Sequence, residues 1–88
     1  MRVDKYLKVS RLIKRREVAK ELCDAGLVQV GGKVAKPSTE ILPDNEMTLK
    51  LGRHTLTVRV LVLLPHANKD SASGMYEIIE DKVDNRGE

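Results

Sequence analysis

Eighty-eight residues with one cysteine, no Phe or Trp and a formal net charge of +3 allow a single domain with an aliphatic core and exclude an internal disulfide. Val, Leu and Ile occupy 25 positions, enough for the chain to fold rather than remain disordered. The opening MRVDKYLKVS lacks the apolar stretch of a secretion signal and the longest apolar run, 60–64, is too short to cross a bilayer, so a cytoplasmic location with no membrane role is expected.

Residues 3–9 read as a short helix, with Val3, Tyr6 and Leu7 on an apolar face and Asp4 placed to pair with Lys8 one turn later. After the connection SRLIK, residues 15–25 read as a second helix in which Val18, Ala19, Leu22 and Cys23 share a face and Gly26 supplies the left-handed cap. Leu7, Val18, Leu22 and Val28 are the expected core. The pattern then changes to period two: Val28 and Val30 flank Gln29, and Gly31-Gly32 marks a two-residue hairpin turn. Lys36-Pro37-Ser38 interrupts the next segment. Strands are predicted over 47–51 and 55–64, joined by a tight turn at Gly52-Arg53, and again over 75–80. The polar stretch PHANKDSASG between them reads as a mobile loop, and the last residues, DKVDNRGE, are expected to fray.

Charge divides the chain in two. Residues 1–36 carry ten Lys or Arg against four acids, a net +6, whereas residues 37–88 carry six against nine, a net −3. Such asymmetry is the footprint of a face that binds a polyanion. Arg2, Lys5 and Lys8 form one helical stripe, Arg11 sits in the connection, and Lys14, Arg15, Arg16 and Lys20 crowd the start of the second helix. Lys33 and Lys36 extend the cations onto the hairpin. Guanidinium forks suit bidentate phosphate contact and lysines add longer-reaching point charges. A charge run is usually a solvated surface, but three consecutive cations at a helix start oppose the macrodipole, which favours a bound anion in compensation.

The second helix has no Asn or Gln to read adenine, so sequence-specific DNA reading is disfavoured. With Tyr6 and Tyr76 as the only aromatics, the chain cannot build the stacking platform of a single-strand binder. Backbone and shape recognition of folded RNA is what remains. His54, His66 and Cys23 lack metal-ligand spacing, Gly31-Gly32 lacks the lysine and hydroxyl of a phosphate loop, and Cys23 lies on an apolar face where it is inert. No catalytic set, cofactor or small-molecule substrate is expected.

The run RVDKYLKVSRLIKRREVAKELCDAGLVQVGGKVAKPS resembles the S4 RNA-binding domain, and the likeness continues to about residue 51. Arg2, Asp4, Leu7, Arg11-Leu12, Arg16, Ala19, Gly26, Val28, Val30, Gly32 and Lys36-Pro37-Ser38 fall at that family's spacing. The resemblance implies an α+β fold, two short packed N-terminal helices on a small, mostly antiparallel sheet, with residues 1–64 as the S4 domain and 65–88 as loop, returning strand and tail of the same unit. A chain with no catalytic domain that contains KVSRLIKRR is similar to the stand-alone branch of the family that serves ribosome quality control. That similarity implies large-subunit rRNA and peptidyl-tRNA as partners, with a tail-adding quality-control factor as a further neighbour, and Arg2 and Arg16 as principal RNA contacts beside Arg11, Lys14 and Arg15. Two rival readings are a heat-shock-type factor that recycles free large subunits and an accessory subunit that binds a protein through the acidic half. Three positions depart from the family pattern: Gly31-Gly32 in place of Asn-Gly, Asp44-Asn45 in place of Gly-Asp, and Arg15 where relatives carry a Ser or Thr helix cap.

Overall fold

A computed structural model describes residues 1–83. The chain runs through α1 (Val3–Val9), α2 (Arg16–Asp24), β1 (Val28–Val30), β2 (Lys33–Val34), β3 (Glu46–Leu51), β4 (His54–Val60), α3 (Lys69–Ser73) and β5 (Tyr76–Val83). The strands form one antiparallel sheet in the order β2-β1-β3-β4-β5. This is the α+β arrangement of a helix pair on a small sheet that the sequence implies.

Both helices end as their sequences dictate, but by different means. At the end of α2, Gly26 adopts φ +76°, its amide donates to the Cys23 carbonyl at 3.0 Å and the Leu27 amide donates to that of Leu22 at 2.9 Å. This is a Schellman cap, which glycine fills without a Cβ clash. At the end of α1 the equivalent residue is Arg11, with φ +64° and its amide on the Lys8 carbonyl at 3.1 Å. The hairpin turn Gly31-Gly32 has φ +60° and +84°, the pair of positive angles that a type I′ turn requires. Asp44 is also left-handed at φ +73°, a conformation that a short polar side chain tolerates.

The core lies between the helix pair and one face of the sheet. Val3, Tyr6 and Leu7 of α1 and Ala19 and Cys23 of α2 meet Val28, Met47, Leu49, Val58 and Val60 of the strands, with Ile13, Ile41 and Met75 closing the edges. The Tyr6 hydroxyl donates to the Met75 carbonyl at 2.7 Å, tying α1 to the residue before β5. Burial first, and the charge of nearby Tyr76 second, push the Tyr6 phenol above its ordinary pKa.

Four expectations need correction. Val18 is 39% exposed and Leu22 half-buried, because α2 turns Ala19 and Cys23 inward and leaves Val18 on its flank. The strand expected over 55–64 ends at Val60: the Leu61 and Val62 amides both reach the Met75 carbonyl, which takes the apolar run off the sheet. The stretch read as a mobile loop contains α3, closed by a capping box in which the Asn68 side chain accepts from the Ser71 amide and the Ser71 hydroxyl accepts from the Asn68 amide. Residues 81–83, expected to fray, belong to β5 and pair with β4; the rest of the expected frayed tail lies outside the described residues.

Candidate nucleic-acid interface

Asp4 organises the basic face. Its carboxylate is sealed from solvent and accepts the Lys5 amide at 2.7 Å. One of its oxygens takes the Arg16 guanidinium at 3.3 Å and the other that of Arg2 at 3.2 Å. The arginines remain 47% and 44% exposed at their side chains while Asp4 is 0% exposed, so each is anchored at one nitrogen and open at the others. Burial alone would raise the Asp4 pKa. The Arg16 hydrogen bond, the Lys5 amide and the charges of Arg16 and Arg2 outweigh it and hold the carboxyl below its ordinary value.

This overturns the expected Asp4–Lys8 pairing. It also revises the reasoning about three cations at a helix start: Arg16, the first residue of α2, is already met by an internal carboxylate, so no external anion is needed to explain it. Asp4 is the residue that local sequence reading placed wrongly. Its position in the S4 pattern, between Arg2 and Leu7 and ahead of Arg16, was the available signal.

The loop after β2 completes this end of the helix pair. The carbonyls of Thr39 and Pro37 accept the Val3 and Asp4 amides at 2.8 and 3.2 Å, satisfying two of the donors that every helix start leaves open. The backbones of Arg2 and Glu40 form an isolated antiparallel β-bridge, and the terminal ammonium of Met1 lies 3.4 Å from the Glu40 carboxylate. Lys36, exposed at the head of this loop, is thereby carried toward the Arg2 end.

The other predicted cations are distributed. Lys5 is half-buried, and Lys14, Arg15 and Lys20 are exposed along the approach to α2 and its outer face. Arg15 occupies the N-cap position with extended backbone and makes no side-chain cap bond, as its departure from the family's Ser or Thr implies. Lys8 and Arg11 stand at the far end of α1 beside a cavity. Lys33 begins β2, the edge strand of the sheet beside β1. Cys23 is buried and its thiol pKa is pushed up to about 11 by burial, then by the charges of Asp4 and Asp24, which keeps it protonated and unreactive. Among the described residues no group of three or more His, Cys, Asp or Glu side chains could hold a metal. No helix among them is long and apolar enough to cross a membrane.

A family model described as the S4 domain matches residues 1–46. Over 81 residues the chain is 48% identical to the "RQC P-site tRNA stabilizing factor" of Streptococcus pneumoniae, covering 92% of each protein. It is 31% identical to "Heat shock protein 15" of Escherichia coli over 98% of this chain and 65% of that protein. Among solved structures, the trimeric Heat Shock Protein 15 of Vibrio cholerae superposes with a TM-score of 0.83 at 26% identity, covering 89% of this chain and 80% of that one.

Proposed function

The chain belongs to the S4 domain family, and on that premise we propose that it is a non-enzymatic, cytoplasmic RNA-binding factor of ribosome quality control. In this reading it binds large-subunit rRNA and peptidyl-tRNA on the large subunit and steadies P-site tRNA while a tail-adding factor extends the stalled nascent chain. The observation that carries the reading is the buried Asp4 carboxylate holding Arg2 and Arg16 side by side and half open, in a chain 48% identical over 92% of its length to a factor named for stabilising P-site tRNA.

Physically, the pairing lowers the entropy lost on binding, because two long side chains are oriented before any phosphate arrives. Anchoring uses one nitrogen of each guanidinium and leaves the remaining donors for phosphate oxygens. Lys14, Arg15 and Lys20 continue the field along α2, and Lys36 extends it beyond Arg2. A protein without catalytic groups still drives a multistep process when it binds one tRNA conformation better than its competitors, by the amount of that differential affinity.

The test is deletion of the gene, assay of C-terminal tails on nascent chains from stalled ribosomes, and complementation with Arg2→Lys and Arg16→Lys. Both variants keep the positive charge on Asp4 but lose the fork, and protein abundance is measured in parallel. Loss of tails in the deletion strain, restored by the wild-type gene and poorly by the lysine variants at equal abundance, supports the reading. Unchanged tailing rejects it. The likeness to Heat shock protein 15 over 98% of this chain then puts recycling of free large subunits first.

A further inference from the structure

At the end of α1 opposite the Asp4 cluster lies an open cavity of about 180 Å³ lined by Lys8, Val9, Arg11, His66 and Ala67. We propose that it is a binding pocket for a single phosphate of the RNA, held by Lys8, Arg11 and His66. The proposal rests on the RNA-binding reading above and adds to it a second, separately built contact.

The space is ample, since one water needs only about 10–15 Å³. Among the described residues its lining is one-sided: Val9 and Ala67 are apolar, the remaining three carry nitrogen donors, and none is an acid. Among the described residues neither Lys8 nor Arg11 makes a salt bridge, in contrast to Arg2 and Arg16. The negative end of α1 disfavours an anion here. Part of that field is already taken up, because the Ser10 and Arg11 amides bond the Tyr6 and Lys8 carbonyls at 2.9 and 3.1 Å.

Backbone conformation supplies the independent observation. Arg11 is left-handed at φ +64°, a region unfavourable for a residue with a Cβ. The equivalent position after α2 is Gly26. An arginine kept where glycine is better tolerated stores local strain, and such strain gathers at binding sites. The opposite wall is equally fixed: Leu63, Leu64 and Ala67 pack against the core, and the Asn68–Ser71 capping box follows directly. His66 is therefore presented by an anchored segment, on the same cavity as Lys8 and Arg11.

The full-length protein is titrated with a folded RNA hairpin at several salt concentrations, comparing wild type with Arg11→Gly, His66→Ala and Arg16→Lys, and with inorganic phosphate as a separate probe. Arg11→Gly is expected to raise the melting temperature yet weaken RNA binding about tenfold and flatten the log–log salt slope by roughly 0.7–0.9, the share of one phosphate. His66→Ala is expected to leave the melting temperature unchanged and weaken binding roughly two- to tenfold. If both bind RNA like wild type while Arg16→Lys is impaired, the pocket is not an RNA contact and the general reading survives. If the pocket residues shift with inorganic phosphate but the two variants keep wild-type RNA affinity, the pocket serves a free anion and the assignment to RNA is overturned. If the wild-type protein binds no RNA, both readings fall together.

Discussion

The two ends of the helix pair present cations in opposite ways. At the Asp4 end, Arg2 and Arg16 are bound to a buried carboxylate and are part of the fold. At the Arg11 end, the cations border a cavity that no acid lines among the described residues, and one of them occupies a backbone conformation that glycine would fill more comfortably. Positive charge on a surface is thus not one kind of evidence. On the proposed reading, a cation held from within serves stability and binding together, whereas one set against the preference of the backbone serves binding at the expense of stability. The sign of the stability change on removal separates the two cases.

Removing both arginines from Asp4 is expected to have the largest effect. Arg2→Ala with Arg16→Ala leaves a buried, unpaired carboxylate and destabilises the protein by about 3–5 kcal/mol at neutral pH, as read by urea denaturation. Arg16→Ala alone is expected to cost about 1–3 kcal/mol, because Arg2 and the Lys5 amide remain. Acid should narrow the gap. The folded-state pKa of Asp4 is depressed, so its contribution is complete above the unfolded value of about 3.9 and is lost as pH falls through the lower folded value. The difference in stability between wild type and the double variant should narrow as pH is lowered from 7 through the unfolded value of about 3.9, and a constant difference across that window would mean that the arginines do not act through the Asp4 charge. The smaller effects compare the two helix ends. Gly26→Ala should destabilise by about 1 kcal/mol, whereas Arg11→Gly should stabilise by about 0.5–1 kcal/mol, since each changes the fit of the side chain to a left-handed cap. Equal signs in a calorimetric comparison would remove the contrast.

The parts of this structure legible in the sequence are those set by neighbours along the chain. Residues 3–9 form α1 because Val3, Tyr6 and Leu7 share one helical face, and Gly31-Gly32 forms its turn because both positions need positive φ. Short polar elements were harder to read. The five residues of α3 carry little apolar pattern, although Asn68 and Ser71 spell its cap and Ala72 is its buried residue. The candidate site was legible as charge and not as arrangement. Asp4 has Lys8 one turn away along the helix, but its partners are Arg2, two residues before it, and Arg16, brought to it only by the packing of α1 on α2. In the sequence His66 lacks metal-ligand spacing and carries no other signal. Nothing local shows that an anchored loop returns it to the end of α1 beside Arg11.

The central claim is that this face binds RNA through its phosphates, and the salt dependence of affinity tests it most directly. For wild-type protein and a folded RNA, a face neutralising about five phosphates should give a plot of log association constant against log salt with a slope of roughly −3.5 to −4.5, with little preference among sequences. A slope near zero would contradict the account.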